Sequence, residues 1–183
     1  MSSQQRFDIH KSAEEIAEVV KRQPEKAWQV ATFGAGCFWH TEAAFQGQPG
    51  VLDTSVGYMG GHFADPSYLD VLARITGHAE VAQIHYDPEV ISYEALLEIF
   101  WHCHDPTTLN RQGPDRGEQY RSVIFYHRLE QATAAQASKA KLMATGTYSM
   151  PIVTQIKPAT DYWLATEDHQ QYLAKKSASQ SRT

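Results

Sequence analysis

The chain has 183 residues, of which 42% are hydrophobic and 20% are charged, and its formal net charge is −5. This length suits one domain with a sizeable core, and the composition is that of a globular protein, far from a disordered chain. The acidic balance argues against a nucleic-acid-binding surface and against a polybasic membrane-binding surface, since both need clustered Lys and Arg.

Neither a membrane span nor a leader is expected. No apolar run approaches the roughly 20 residues that a membrane-spanning helix needs, and the polar start lacks the basic-then-apolar order of a secretory signal. We therefore expect a cytoplasmic protein. Its two cysteines, Cys37 and Cys103, do not form a C-x-x-C pair. In a reducing compartment they are expected to be free thiols, so each has to be explained by packing or by chemistry.

The chain alternates between predicted strands and helices and has no internal repeat. Apolar alternation predicts strands at five places, which are 28–33, 51–57, 80–86, 120–127 and 152–157. Helical spacing, a serine N-cap at Ser92 and stops at Gly or Pro predict helices at five places, which are 37–47, 68–72, 92–104, 129–144 and 162–175. The polar segment 107–119 is predicted to be a long loop, and such loops are often functional.

This order of elements favours an α/β fold of the α+β kind. We expect a two-layer, ferredoxin-like sandwich in which helices cover a mixed or antiparallel sheet, with added helices. We divide the chain into an N-terminal arm over residues 1–27, a single domain over 28–175 and a flexible tail over 176–183. A short amphipathic helix is expected within the arm, before Pro24.

Cys37 follows a strand and a glycine-rich turn and opens a predicted helix. Unpaired N–H groups at a helix start stabilise an anion, so we expect the Cys37 pKa to lie below about 8.5 and the thiolate to be reactive. The alternative is a buried cysteine that only packs as a small hydrophobe. Phe38 and Trp39 follow directly. Because successive helical residues diverge around the axis, at least one of them is expected to line a cleft beside the thiol.

The sequence Gly36-Cys37-Phe38-Trp39 resembles the signature of the A-type peptide methionine-(S)-sulfoxide reductases. Further stretches resemble the same family in the same order, namely EAAF (42–45), GYMGG (57–61), TGHAEV (76–81), HDPT (104–107), LNRQG (109–113), DRGEQYRS (115–122) and EDHQQYL (167–173). The resemblance covers roughly residues 30–173. It implies a catalytic domain that reduces methionine-S-sulfoxide, protein-bound or free, at the expense of a thiol.

The reduction of a sulfoxide by a thiol needs a thiolate, an acid for the sulfoxide oxygen and an apolar slot for the S-methyl group. The resemblance implies that Cys37 attacks the sulfur and that Glu80 protonates the oxygen. An apolar pocket would raise the pKa of Glu80 for that task. Phe38 and Trp39 would form the methyl slot. Without the resemblance, an exposed glutamate at the end of a strand is the simpler interpretation of Glu80.

Four further residues receive roles only from the resemblance. Tyr58 and Tyr120 would donate hydrogen bonds to the sulfoxide oxygen and stabilise its developing charge. Asp115 would help to organise the site, and His78 would support the backbone around Glu80. Each has a structural alternative, because tyrosines at strand ends often only pack and an aspartate in a polar loop is often a turn residue.

The attack leaves a sulfenic acid on Cys37, which a second thiol must reduce. Many family members carry resolving cysteines near the C-terminus, but this chain has no cysteine after Cys103. Cys103 continues the helical line of Leu96 and Phe100, which favours burial in the core. We therefore expect an external reductant such as thioredoxin, glutaredoxin or glutathione, with Cys103 as the internal candidate for a resolving thiol.

We expect no bound cofactor and no metal. Helical neighbours such as His102, Cys103 and His104 point apart, whereas zinc ligands on a helix favour i, i+4 spacing. The expected partners of a monomeric enzyme are oxidised proteins, peptides and free methionine sulfoxide, together with a thioredoxin-like reductant.

Two other functions stay open. One is a different cysteine-nucleophile enzyme, a thiol peroxidase or hydrolase with His40 as the base nearest in sequence. The other is a peptide-binding module.

Overall fold

The computed structural model describes residues 28–181, and the helix expected in the arm lies outside the described residues. The strands of this part are β1 (Gln29–Ala35), β2 (Val51–Met59), β3 (Ala79–Tyr86), β4 (Arg111–Gln112), β5 (Asp115–Arg116), β6 (Ser122–Tyr126), β7 (Gln155–Pro158) and β8 (Trp163–Leu164). Its helices are α1 (Phe38–Phe45), α2 (Tyr68–Leu72), α3 (Tyr93–His102), α4 (Leu129–Ala144) and α5 (Tyr172–Gln180).

Six strands form one sheet in the order β7-β6-β1-β3-β2-β8. Neighbouring strands are antiparallel except for β6 and β7, which run parallel, so the sheet is mixed. The central order β6-β1-β3-β2 has α1 between β1 and β2 and α3 between β3 and β6, which is the βαββαβ arrangement of a ferredoxin-like sandwich. The expected fold class is confirmed, and α2, α4 and the edge strands are additions to it.

An aromatic core holds α1 and α3 against the sheet. The ring of Phe33 in β1 stacks on Phe45 of α1 with 5.3 Å between centroids and on Phe100 of α3 with 5.1 Å. All three rings are fully buried, and burying a phenylalanine side chain contributes about 1.5–3 kcal/mol. This packing fixes the position of α1, and with it the residue just before its first turn.

Local capping explains where several helices begin. The Ala95 N–H donates to Ser92 Oγ at 3.1 Å, which confirms the predicted N-cap of α3. The five-residue helix α2 has a reciprocal capping box, in which the N–H of Asp70 donates to Ser67 Oγ and the N–H of Ser67 donates to Asp70 Oδ2. Both α2 and α4 have the expected bounds. Between residues 28 and 181, no helix is long and apolar enough to cross a bilayer.

The segment 107–119, expected to be one long loop, contains a two-stranded hairpin. Strands β4 and β5 pair, with Gln112 opposite Asp115. Gly113 in the turn between them takes a φ of +56°, which costs glycine little. Strands of two residues are too short to produce a periodic hydrophobic pattern, so the sequence gives no sign of the hairpin.

The end of the chain also differs from expectation. The predicted helix over 162–175 is wrong, because this stretch contains β8, a 3₁₀ turn over Glu167–His169 and only the start of α5. The Gln170 side chain accepts from the N–H of Val56 and donates to its carbonyl, both at 2.8 Å, so tertiary hydrogen bonds override the local helical tendency. Helix α5 includes residues 176–180, which were expected to belong to a loose tail.

Candidate active site

Cys37 lies between the end of β1 and the start of α1, where it is the N-cap residue. Its carbonyl accepts hydrogen bonds from the N–H groups of His40 and Thr41 at 3.1 and 3.2 Å. The preceding Gly36 has a φ of +92°, and a Cβ added there would lie 2.6 Å from the Cβ of Gln112. Glycine therefore allows Gln112 of the β4–β5 hairpin to pack against the residue that precedes Cys37.

The Cys37 thiol does not behave as the sequence suggested. Burial raises its pKa to about 11. The N–H groups of Trp39 and His40 lower the pKa, as expected at a helix start, while the charges of Glu80 and Asp115 raise it. The expectation of a lowered pKa is therefore wrong for the free protein, because the loss of hydration outweighs the helix end. At neutral pH Cys37 is therefore mostly a thiol, and a reaction as a thiolate would require a group that accepts its proton.

Glu80 is the candidate for this proton acceptor. It lies in β3 opposite Tyr58 of β2 and is 2% exposed. Its Oε2 accepts the N–H of Phe38, the residue that follows Cys37, at 3.1 Å. Burial raises the Glu80 pKa to about 7, the Phe38 N–H lowers it and the charge of Asp115 in β5 raises it. Near pH 7 about half of such carboxyls carry a proton, so the group can both accept and donate.

The charges of the thiol and the carboxyl act on two tyrosines, Tyr68 and Tyr120. Burial raises the pKa of Tyr68 and of Tyr120, and the charges of Glu80, Cys37 and Asp115 raise both pKa values further. Both side chains stay partly exposed, so a ligand can reach them. The sequence interpretation missed Tyr68, because it belongs to a helix too short for a periodic pattern. Its place in a Gly- and Pro-rich loop region was the one available signal.

Tyr58 has a different environment from the other two tyrosines. It is 1% exposed, and its ring packs on Phe38 with 5.7 Å between centroids. Among residues 28–181 its hydroxyl has no hydrogen-bond partner. Burial raises its pKa, as do the charges of Glu80 and Tyr68, but Cys37 is not among the groups that do so. Tyr58 is therefore a buried side chain that packs against Phe38.

Phe38 and Trp39 form an aromatic wall next to the thiol, with 6.4 Å between their ring centroids. Phe38 is buried and Trp39 is half-buried. Trp39 stacks on Tyr172 at 3.9 Å and donates its Nε1–H to Nδ1 of His169 at 3.2 Å. The sequence interpretation gave no role to His169 or Tyr172. Their stretch, 167–173, was noted only for its resemblance to the family.

His78 connects two loops just before Glu80. The N–H of Gly61 donates to His78 Nδ1 at 2.9 Å, so the other nitrogen carries the proton and donates to the Phe63 carbonyl at 2.7 Å. The His78 imidazole thus links the loop after β2 to the start of β3. Both of its ring hydrogen bonds go to backbone groups, as expected of a residue that supports these loops.

Cys103 lies at the C-cap of α3 and packs against the main core, whereas Phe38 belongs to a separate cluster. Its Sγ–H donates to the Phe100 carbonyl at 3.3 Å, and burial raises its pKa to about 12. Both Cys37 and Cys103 are free thiols. The structure thus gives the two cysteines different surroundings and no bond between them.

The histidines around Cys103 make structural hydrogen bonds. His102 bonds a carbonyl of its own helix, and His104 bonds the Phe100 carbonyl and Ser122 Oγ at 2.8 and 2.7 Å. Burial lowers the pKa of His104 to about 4. In the part of the chain that the structure describes, no group of three or more His, Cys, Asp or Glu side chains has an arrangement suited to a metal ion.

Comparison with known proteins gives one consistent result. The family model described as peptide methionine sulfoxide reductase matches residues 29–183. The chain is 65% identical over 153 residues to peptide methionine sulfoxide reductase MsrA 1 of Nostoc sp., covering 84% of this chain and 94% of the relative. It is 56% identical over 160 residues to the MsrA of Methanoculleus marisnigri, covering 87% of this chain and 98% of that relative.

A solved structure agrees with these relatives. Reduced Mxr1 from Saccharomyces cerevisiae superposes with a TM-score of 0.78 at 35% identity, covering 84% of this chain and 88% of that chain. The alternatives of a thiol peroxidase, a hydrolase or a peptide-binding module find no support in these matches. The chain therefore belongs to the A type of the peptide methionine sulfoxide reductase family, whose reaction is the thiol-dependent reduction of methionine sulfoxide.

Proposed function

We propose that Cys37 is the nucleophile of this reductase and that Glu80 is its acid, acting on the S epimer of protein-bound and free methionine sulfoxide. One observation carries the proposal. A carboxyl whose pKa is raised to about 7 is hydrogen-bonded to the backbone N–H next to the candidate nucleophile. Turnover of the S and R epimers, each supplied with dithiothreitol as reductant, tests it. Equal rates on both epimers would contradict the proposed selectivity for the S epimer.

The two pKa values imply how the proton moves. Because the Cys37 pKa is about 11 and the Glu80 pKa about 7, the pair with one proton mostly holds a thiol and a carboxylate. The reactive form holds a thiolate and a carboxylic acid, and it contains the same number of protons. Glu80 therefore takes the proton of Cys37 and delivers it to the sulfoxide oxygen, so the net charge of the pair is unchanged until delivery.

The chemical step then balances in atoms and electrons. The Cys37 thiolate attacks the sulfoxide sulfur while the oxygen receives the proton from Glu80. The oxygen passes to the cysteine sulfur as a sulfenic acid, and methionine leaves. The methionine sulfur gains two electrons and Cys37 loses two. A reducing thiol then condenses with the sulfenic acid, which releases water, and a second thiol frees Cys37 from the mixed disulfide.

The remaining side chains stabilise this step. The hydroxyls of Tyr68 and Tyr120 donate to the oxygen as its negative charge develops, and Phe38 and Trp39 hold the S-methyl group. The charge of Asp115 raises the Glu80 pKa and so favours the protonated acid. We assign the second oxygen donor to Tyr68 in place of Tyr58, because the Tyr68 side chain is partly exposed to a ligand whereas Tyr58 is 1% exposed and packs on Phe38.

Three tyrosine variants test this assignment. Tyr68→Phe and Tyr120→Phe are each expected to lower kcat/KM on the order of 10²-fold, because each removes a donor to the developing oxyanion. Tyr58→Phe is expected to keep kcat/KM within a few-fold and to keep the melting temperature, because it deletes a buried hydroxyl that makes no hydrogen bond within residues 28–181. Steady-state kinetics measure kcat/KM, and thermal melts measure the melting temperature of each variant. A loss confined to Tyr58→Phe would return the donor role to that residue.

The reductant is proposed to be an external dithiol protein of the thioredoxin class. The buried thiol of Cys103, with its pKa near 12, is a poor attacking group at neutral pH. Mxr1, which is 35% identical to this chain, has been solved in complex with Trx2. These two observations support an intermolecular route over an internal Cys37–Cys103 disulfide.

Replacing Cys103 with alanine is therefore expected to leave turnover with a thioredoxin system within about twofold of the unmodified enzyme, since an external thiol reaches Cys37 directly. Substrate added without reductant is expected to leave Cys37 as a sulfenic acid that dimedone traps. Peptide mapping by mass spectrometry distinguishes this adduct from a disulfide. A Cys37–Cys103 bridge would refute the external route.

We also propose that the enzyme acts as a cytoplasmic monomer without a bound cofactor. The steps above use only side chains of one chain and an added thiol, which supports a monomer that needs no bound cofactor. Light scattering across a range of protein concentrations tests the monomer.

The division into an arm over 1–27, a domain over 28–175 and a tail over 176–183 stays a prediction. Limited proteolysis tests it by the fragments that resist cleavage.

A further inference from the structure

His169 contacts three aromatic side chains of the site at once. It lies in the 3₁₀ turn before α5 and is 7% exposed. Its ring centroid is 5.4 Å from that of Phe38, 5.7 Å from that of Trp39 and 4.5 Å from that of Tyr68. One imidazole therefore touches both walls of the proposed methyl slot and one proposed oxygen donor.

The contact with Trp39 is directional. An indole N–H only donates, so His169 Nδ1 must be the unprotonated acceptor of the 3.2 Å hydrogen bond. Nε2 of His169 faces Asp168 Oδ2 at 3.7 Å. The indole also stacks on Tyr172, but stacking alone allows the ring to slide in its plane. The hydrogen bond to His169 prevents the indole from sliding in this plane.

The turn that carries His169 is itself held in place. The side chain of the next residue, Gln170, bonds both backbone groups of Val56. Gln171 takes a left-handed φ of +47° and donates its N–H to Glu42 Oε2 at 3.0 Å. A non-glycine residue keeps such a conformation only where its surroundings enforce it. The imidazole is therefore presented to the site from a rigid support.

We propose that His169 is the positioning residue that fixes Trp39 against Phe38 and thereby sets the width of the slot for the S-methyl group. This inference rests on the proposed function, in which that slot binds the substrate. A slot of fixed width selects methyl over ethyl at sulfur, and one methylene in a fitted apolar pocket changes kcat/KM by roughly 10- to 200-fold. Loss of the hydrogen bond to Trp39 removes that selection.

Two variants separate the hydrogen bond from the packing. His169→Phe keeps a ring but removes the acceptor, whereas His169→Asn keeps an acceptor oxygen without the ring. The readout is the ratio of kcat/KM for methionine sulfoxide to that for ethionine sulfoxide. We expect His169→Phe to lower the ratio about tenfold, mainly through KM, and His169→Asn to restore most of it. His102→Phe, a change at an exposed histidine at the far end of α3, is the matched control.

A second readout does not depend on activity. The indole N–H signal of Trp39, assigned with Trp39→Phe, is expected to lose protection from solvent exchange in His169→Phe and to keep it in His169→Asn. An unchanged substrate ratio or an unchanged indole signal in His169→Phe would overturn the inference. An unmodified enzyme that reduces no sulfoxide would overturn the proposed function instead, and the indole signal would still report on His169.

Discussion

Replacing Cys37 with serine is expected to abolish sulfoxide reduction, with a loss of roughly 10⁴-fold or more in kcat. A hydroxyl ionises far less readily than a thiol, and an alkoxide has little affinity for a sulfoxide sulfur. The neighbouring N–H groups of Trp39 and His40, which lower the thiol pKa, cannot make up that difference. The change is nearly isosteric at a half-buried position, so the fold is expected to persist.

Cys103→Ser is the matched control, because it makes the same chemical change at the other cysteine. Turnover with dithiothreitol, thermal melts and dimedone labelling should be measured on both variants. We expect labelling after substrate to vanish only in Cys37→Ser. Activity above a tenth of the original level in Cys37→Ser would mean that the nucleophile lies elsewhere. Intact peptide binding with no turnover in either variant or the parent would favour a binding module.

Replacing Glu80 with glutamine is expected to lower kcat/KM by about 10²- to 10⁴-fold, the usual range for a positioned proton donor. The amide side chain introduced by Glu80→Gln keeps an oxygen that can accept the Phe38 N–H, so backbone geometry should survive. The amide cannot take the proton of Cys37 or deliver one to the sulfoxide. The expected loss therefore reports on proton transfer and not on the shape of the site.

The pH profile makes this prediction sharper. In the unmodified enzyme the reactive pair holds one proton, so kcat/KM should fall about tenfold per pH unit below about 7, where a second proton binds. Between about 7 and 11 the number of protons is constant and the rate should be flat. In Glu80→Gln the plateau should disappear, with the rate rising until the thiol ionises. An unchanged plateau in this variant would assign the proton to another group.

Glu80→Gln should also stabilise the fold at alkaline pH. The native Glu80 pKa of about 7 lies above the ordinary value of 4.5, so the native state holds the proton more tightly than the unfolded chain does. Stability from this group is complete below pH 4.5 and declines as pH rises through 7, by an amount on the order of 3 kcal/mol. Urea melts should therefore separate the two proteins much more at pH 8 than at pH 5.

Sequence reasoning recovered those features that local patterns encode. Period-two alternation and a serine cap predicted α3 and the strands β1, β2, β3, β6 and β7, so the ferredoxin-like order followed from the chain alone. The sequence could not reveal the raised pKa of Cys37, because dehydration depends on what packs over the thiol. Tyr68 and His169 meet at the site although about a hundred residues separate them, and only the folded chain brings them together.

The hairpin and the C-terminal segment were missed for a related reason. The hairpin strands are too short to produce a pattern, and the C-terminal segment is held by long-range hydrogen bonds, such as those of Gln170 to Val56, and not by the propensity of its own residues. The resemblance to the family covered the same stretch without saying what its side chains do. Local propensity is thus a poor guide where a segment folds onto a distant strand.

The high pKa of the Cys37 thiol has a consequence for survival under oxidative stress. Peroxides and alkylating agents react with thiolates, and at neutral pH this protein exposes almost none. We therefore expect the free enzyme to react slowly with peroxides and alkylating agents at neutral pH. In the proposed reaction the Cys37 sulfur becomes nucleophilic only when Glu80 takes its proton, so we expect overoxidation of the free enzyme to sulfinic acid to be slow.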